Sequence, residues 1–99
     1  MLLILIMTNP QLLEKRQQLL KQQIADCLDI LIGTLGKSAS MRGHNLTTKV
    51  AGKTVTRYVR RDLLPQAREM IRRYQKLWRL LVELSRVNWQ LLQHHDPNR

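Results

Sequence analysis

Leu46-Thr47-Thr48-Lys49-Val50-Ala51-Gly52-Lys53-Thr54-Val55-Thr56-Arg57-Tyr58-Val59 decides the fold. Two β-branched runs flank a Gly-containing dipeptide, the pattern of a hairpin closed by a two-residue turn. With Ala51-Gly52 as the turn, the two-residue period puts Leu46, Val50, Val55 and Val59 on one face. Asn45, Thr47, Lys49, Thr54, Thr56 and Tyr58 then share the other. The first face is expected to be core and the second a polar ribbon. An isolated ribbon is marginal in water, so it must lean on a helix.

Upstream, residues 33–45 hold three of the four glycines with Ser38, Ser40 and Asn45, and read as a loop. Before that loop, Thr8-Asn9-Pro10 supplies a capping residue followed by a proline whose missing N–H costs nothing in a first turn. Leu13, Leu20, Ile24, Cys27 and Leu31, widened by Leu12, Leu19 and Leu28, then form a stripe that predicts an amphipathic helix of about six turns, ended by Gly33 and Gly36. On that stripe Cys27 is a small core hydrophobe.

Downstream, Asp62 is the expected N-cap of a last helix with Pro65 in its first turn. Leu63, Ala67, Met70, Tyr74, Leu77, Leu81, Leu84, Asn88 and Leu91 alternate spacings of four and three, a heptad seam in which Asn88 is a register-setting polar residue or a half-exposed one near the end. Leu64, Ile71, Trp78, Leu92, Leu80 and Val87 broaden it. The fold class is therefore α+β and mostly α: two long antiparallel helices joined by a loop and a two-stranded hairpin, in the order α-β-β-α. Nineteen leucines and no Phe agree with a helical core. One domain is expected over 8–94, between an apolar extension at 1–7 and a fraying tail at 95–99. Met7, just before the helix start, is the expected true initiator, the alternative being a short apolar strand or arm that packs on a partner; an intact mass would check. Two helices make a thin core, so a homodimer burying Leu80, Leu84 and Val87, or a helical protein partner, is expected.

The 99-residue chain has a net charge of +10. Residues 1–36 sum to zero, and the stretch from Lys37 to Arg61 holds seven bases without an acid. Single-sign fields attract polyanions, so DNA or RNA is the expected partner. Lys49, Lys53, Arg57, Arg60 and Arg61 would hold phosphates, Lys37 and Arg42 would assist from the loop, and Tyr58 would stack or donate. Arg72, Arg79 and Arg86 repeat every seven residues opposite the seam, with Arg68, Arg73 and Lys76 beside them. This row is a solvated face or an extension of the grip, through Arg72 and Arg79. The alternative is a helical interaction module whose surface is Met70, Tyr74, Leu77, Leu81, Leu84, Asn88 and Leu91. Peripheral membrane binding by the basic helix is a third reading, disfavoured because the apolar stripe is committed to packing.

Other chemistry finds few parts. The segment Ile30 to Ser38 mimics a phosphate loop, but Leu31 stands where that motif needs its first glycine. His44, His94, His95 and Cys27 do not converge as zinc ligands, so no metal or cofactor is expected. Seven acids, mostly on helix surfaces, give no catalytic pairing, so no enzyme is expected. With a single cysteine and no evident secretory pattern, a cytoplasmic location is expected, and the seven-residue apolar start is too short for a membrane span.

Ile32-Gly33-Thr34-Leu35, Gly36-Lys37, Gly43-His44, the Gly52-to-Val59 hairpin and Glu83-Leu84-Ser85-Arg86-Val87-Asn88 together carry a resemblance over about two thirds of the chain. They resemble a small prokaryotic domain family often met in transposase or mobile-element contexts. That family runs a helix, a Cys-Gly-Lys-x-x-Cys-x-Cys loop, a hairpin and a long helix. Its loop cysteines fall here at about Leu35, Ser40 and Arg42, which cannot bind zinc as thiolates. The resemblance implies the hairpin-plus-helix fold and a nucleic-acid setting, and it supplies no activity.

Overall fold

A computed structural model describes residues 9–37 and 43–94. The expectations for residues 1–7 and 95–99, and for Arg42, lie outside these. Helix α1 spans Pro10–Ala25, strands β1, β2 and β3 span Thr34–Lys37, His44–Val50 and Lys53–Val59, and helix α2 spans Leu64–His94 after a 3₁₀ turn at Arg61–Leu63. The chain divides into two compact units, Met1–Cys27 with Leu77–Arg99, and Leu28–Lys76, so α2 contributes its two halves to different cores.

In the first unit, Asn9 caps α1 as its sequence position predicts. Its side chain accepts from the Gln11 N–H at 2.9 Å and the Leu12 N–H at 3.4 Å, with Pro10 at the first helical position. The helix is shorter than its apolar stripe implies, because it stops at Ala25 instead of continuing toward Gly33. Asp26 is its C-cap, and the Asp26 N–H bonds back to the Gln22 carbonyl at 3.1 Å. Cys27 is buried, as expected of a small hydrophobe. Leu13, Leu20, Val87 and Leu91 form the core, with Leu80 and Leu84 packed against it.

That core corrects the heptad seam. Leu80 and Val87, read as flanking positions, do the packing, whereas Leu81 is 38% exposed and Asn88 is exposed. Leu80, Leu84 and Val87 are thus used within the chain and are not the spare surface expected to bury a dimer. A straight α-helix turns every 3.6 residues, so a strict seven-residue repeat drifts off the packed stripe over several turns.

In the second unit the chain forms a three-stranded antiparallel sheet, ordered β1-β2-β3, where two strands were expected. The element order is accordingly α-β-β-β-α. Strand β1 lies in the glycine-rich stretch read as loop, and no β-branched run announces it. Its partner β2 creates it, with Thr34 opposite Thr47, Leu35 opposite Leu46, Gly36 opposite Asn45 and Lys37 opposite His44. Gly33 turns the chain into β1 at φ +147°, a conformation that disfavours a side chain.

The hairpin follows its sequence register. Val50 pairs with Lys53 across the two-residue turn, and Ala51 and Gly52 both have positive φ, at 51° and 79°. These signs make it the mirror-image turn whose twist suits a hairpin. The expected faces form, but burial is confined to one end. Leu46 is buried and Val59 half-buried, while Val50 and Val55 stand 56% and 41% exposed near the turn.

Leu64 and Ala67 are the buried residues of the early α2 turns. One main-chain and one side-chain hydrogen bond join α2 to the segment before β1: the Leu31 N–H donates to the Met70 carbonyl at 3.3 Å, and the Arg73 guanidinium donates to the Asp29 carbonyl at 2.6 Å. Leu31 therefore belongs to an irregular segment between α1 and β1 and not to the helical stripe. Asp62 corrects a second expectation, because it lies inside the 3₁₀ turn instead of capping α2. Its carboxylate meets the Arg60 guanidinium at 3.5 Å.

Candidate nucleic-acid interface

The three-strand register sorts the hairpin's polar residues by face, because directly opposed residues project to the same side. Thr34, Thr47 and Thr56 form one cross-strand row, and Gly36, Asn45 and Tyr58 form the next. Lys49 and Thr54 complete this face toward the turn. It carries hydroxyls, an amide, a phenol and an ammonium, with no carboxylate and no aliphatic side chain. Asn45 and Thr47 in the central strand are half-buried; the side chains on the flanking strands are exposed. Tyr58 is 50% exposed, and its ring lies so close over Gly43 that a Cβ there would stand 2.7 Å from the ring edge. Glycine at 43 thus leaves room for the phenol to lie along the sheet.

The bases surround this face without all belonging to it. Lys49 lies on it. Lys37, Lys53 and Arg57 project from the reverse face, in register with His44, Val50 and Leu46. All three sit on the outer strands, where a long side chain can pass the sheet edge with its cation in water. Arg60 and Arg61 follow β3 directly, and the Arg60–Asp62 pair, 67% and 69% exposed, is loosely held. The sequence expectation of a single basic ribbon thus resolves into a polar platform with cations along its borders.

On α2, Arg72 shares a groove of about 370 Å³ with Gly33, Thr34, Leu35, Arg68, Ile71 and Gln75. Its guanidinium also donates to Glu69 at 2.6 Å, one turn back on the helix. Arg68 and Gln75 are not among the phosphate-holding residues that the sequence suggests. Their spacing from Arg72 by four and three was a legible signal for a shared helix face. Arg79 belongs to the other unit. Of the seam residues, Met70 and Tyr74 lie half-buried in the sheet-bearing unit, and Leu77, Leu84 and Leu91 pack in the helical one.

The Leu28–Lys76 unit holds eleven Lys and Arg against three Asp and Glu, a net charge of +8 out of the chain's +10. Such a field concentrates polyanions at its surface and weakens with salt. His44 is half-buried, and its Nδ1 is a buried atom without a hydrogen-bond partner. Among the described residues no group of three or more His, Cys, Asp or Glu could hold a metal ion, and no helix is long and apolar enough to cross a membrane. No protein-family model, curated protein or solved structure matches this chain.

Proposed function

We propose that this protein is a non-enzymatic nucleic-acid-binding accessory factor whose contact surface is the sheet of the Leu28–Lys76 unit. The observation that carries this reading is the open face of Thr34, Asn45, Thr47, Lys49, Thr54, Thr56 and Tyr58, free of carboxylates and aliphatics, in a unit of net charge +8. Hydroxyls and the amide donate to phosphate and sugar oxygens, while Lys37, Lys49, Lys53, Arg57, Arg60 and Arg61 neutralise phosphates from the borders. Tyr58 offers a ring on which an unpaired base stacks. The groove at Arg68 and Arg72 extends the cationic surface within the same unit. A mobile-element setting, implied by the hairpin resemblance, is part of the same proposal.

The test is a salt-titrated gel shift on duplex DNA, single-stranded DNA and RNA. If five phosphates are neutralised, log affinity for a duplex falls with log salt at a slope of about −4.5. Changing Lys53, Arg57, Arg60 and Arg61 together to Gln should flatten the slope by about 3 to 4 and abolish binding at physiological salt. Tyr58→Ala should weaken single-strand binding by about tenfold or more while sparing duplex. A slope near zero for the unaltered protein, or full binding by the fourfold Gln variant, would contradict the proposal.

A further inference from the structure

In the helical unit, Trp78, Leu81, Trp89 and Leu92 stand 57%, 38%, 60% and 61% exposed. At 100° per residue all four fall within an arc of roughly 80° on α2, with Ser85 at its middle. Arg79, Glu83 and Arg86 fall outside that arc, so covering it buries no charge. Exposed tryptophans in pairs are unusual on a solitary surface, and Trp is the residue most enriched at the energetic centres of interfaces.

The arrangement also says what covers it. Trp78 and Leu92 lie seven residues to either side of Ser85, and Leu81 and Trp89 lie four to either side. The stripe therefore has the same spacing in both chain directions. When two identical helices cross antiparallel with Ser85 on the two-fold axis, Trp78 meets Leu92 of the second copy and Leu81 meets its Trp89. Each indole faces a leucine, and the smallest side chain sits where the helices come closest. Such self-complementarity is what an isologous contact requires, and a different partner would not require it.

The area agrees. Exposed fractions of this size on two Trp and two Leu amount to roughly 400 Å² of apolar surface per copy. A standard interface buries about 800 Å² per partner, slightly over half of it apolar. The unit's own core is small, formed by Leu13, Leu20, Val87 and Leu91 with Leu80 and Leu84 against it. A second helix pair on the Trp face completes a four-helix arrangement.

We infer that the chain forms a two-fold homodimer through the Trp78–Leu81–Trp89–Leu92 face of α2, centred on Ser85. This surface is independent of the nucleic-acid proposal and lies in the other unit. The experiment is light scattering with sedimentation equilibrium on nuclease-treated protein in high salt, with tryptophan emission followed on dilution. A dimer is expected, with emission shifting to the red as it dissociates. Ser85→Arg and Trp89→Glu should each weaken dimerisation by about tenfold or more, with helix content unchanged by circular dichroism, whereas Leu19→Gln should leave it intact.

The register is tested separately. In a Cys27→Ala background, Ser85→Cys should oxidise to a disulfide-linked dimer much faster than Arg86→Cys, because only position 85 meets itself on the axis. A monomer at several hundred micromolar, a dimer indifferent to both Ser85→Arg and Trp89→Glu, or equal cross-linking at 85 and 86 would each overturn the inference. So would a monomer that binds phospholipid vesicles through the same tryptophans.

Discussion

The Gln17 side-chain amide N–H donates to the side-chain Oδ1 of Asn88 at 2.7 Å, joining α1 to the late turns of α2 across 71 positions of sequence. Asn88 thus has a partner inside its own chain. Because the bond is exposed, Asn88→Ala should cost only about 0.5–1 kcal/mol in urea unfolding. The neighbouring Arg16–Glu83 ion pair at 2.8 Å has half-exposed partners and should contribute no more than that. A loss of several kcal/mol from Asn88→Ala or from Glu83→Gln would mean these surface contacts carry the helix packing.

Adjacent leucines in α1 should behave differently. Leu20 is fully buried, and Leu19 beside it is 50% exposed. Leu20→Ala should cost about 3 kcal/mol or more through lost transfer energy and the remaining cavity. In a domain this small that loss removes much of the cooperative transition. Leu19→Ala should change the urea midpoint very little. Equal effects would refute the helix register.

The hairpin turn contains an avoidable strain. Ala51 holds φ at 51°, where its Cβ crowds the backbone, and the mirror-image turn favours Asn at that position. Ala51→Asn should stabilise by about 1 kcal/mol, raising the melting temperature by about 4–8 °C for a chain of this size. A lower melting temperature would show that the turn has another geometry.

Two glycines predict opposite outcomes. A Cβ at Gly33 would stand 2.7 Å from the Thr47 carbonyl and the Thr48 hydroxyl, at a φ of +147°. Gly36 has nothing within 4 Å of the same position. Gly33→Ala should therefore destabilise by about 2 kcal/mol or more, since Thr48, which donates to the Ile32 carbonyl, cannot retreat without giving up that bond. Gly36→Ala should be tolerated within about 0.5 kcal/mol. Thermal melts of the two variants make the comparison.

Much of this fold is local, and the local part was legible. The Asn9-Pro10 start of α1, the Ala51-Gly52 turn and the two hairpin faces each follow from residue types acting over a few positions. The sheet-bearing unit's excess of bases is a matter of counting. Strand β1 was not legible, because Thr34-Leu35-Gly36-Lys37 has weak strand propensity and is organised by Leu46 and its neighbours in β2. The end of α1 at Ala25 was hidden too. Leu28 and Leu31 continue the helical spacing, yet the Leu31 N–H is taken by the Met70 carbonyl.

By itself, the sequence determined the start of α1, the hairpin with its register and the segment that carries the charge, because propensity, period and composition act between near neighbours. Tertiary structure decided which apolar residues are core and which remain open. Leu80 and Val87 turn into the α1 contact and leave Trp78, Leu81, Trp89 and Leu92 outside, a choice between adjacent stripes of one helix that only a packing partner can make. It likewise decided that a third strand widens the hairpin, so that Thr34 and Gly36 join Asn45, Thr47, Thr56 and Tyr58 on one polar face. Long-range pairing of this kind depends on which strand edge is within reach, and no short window of sequence records that.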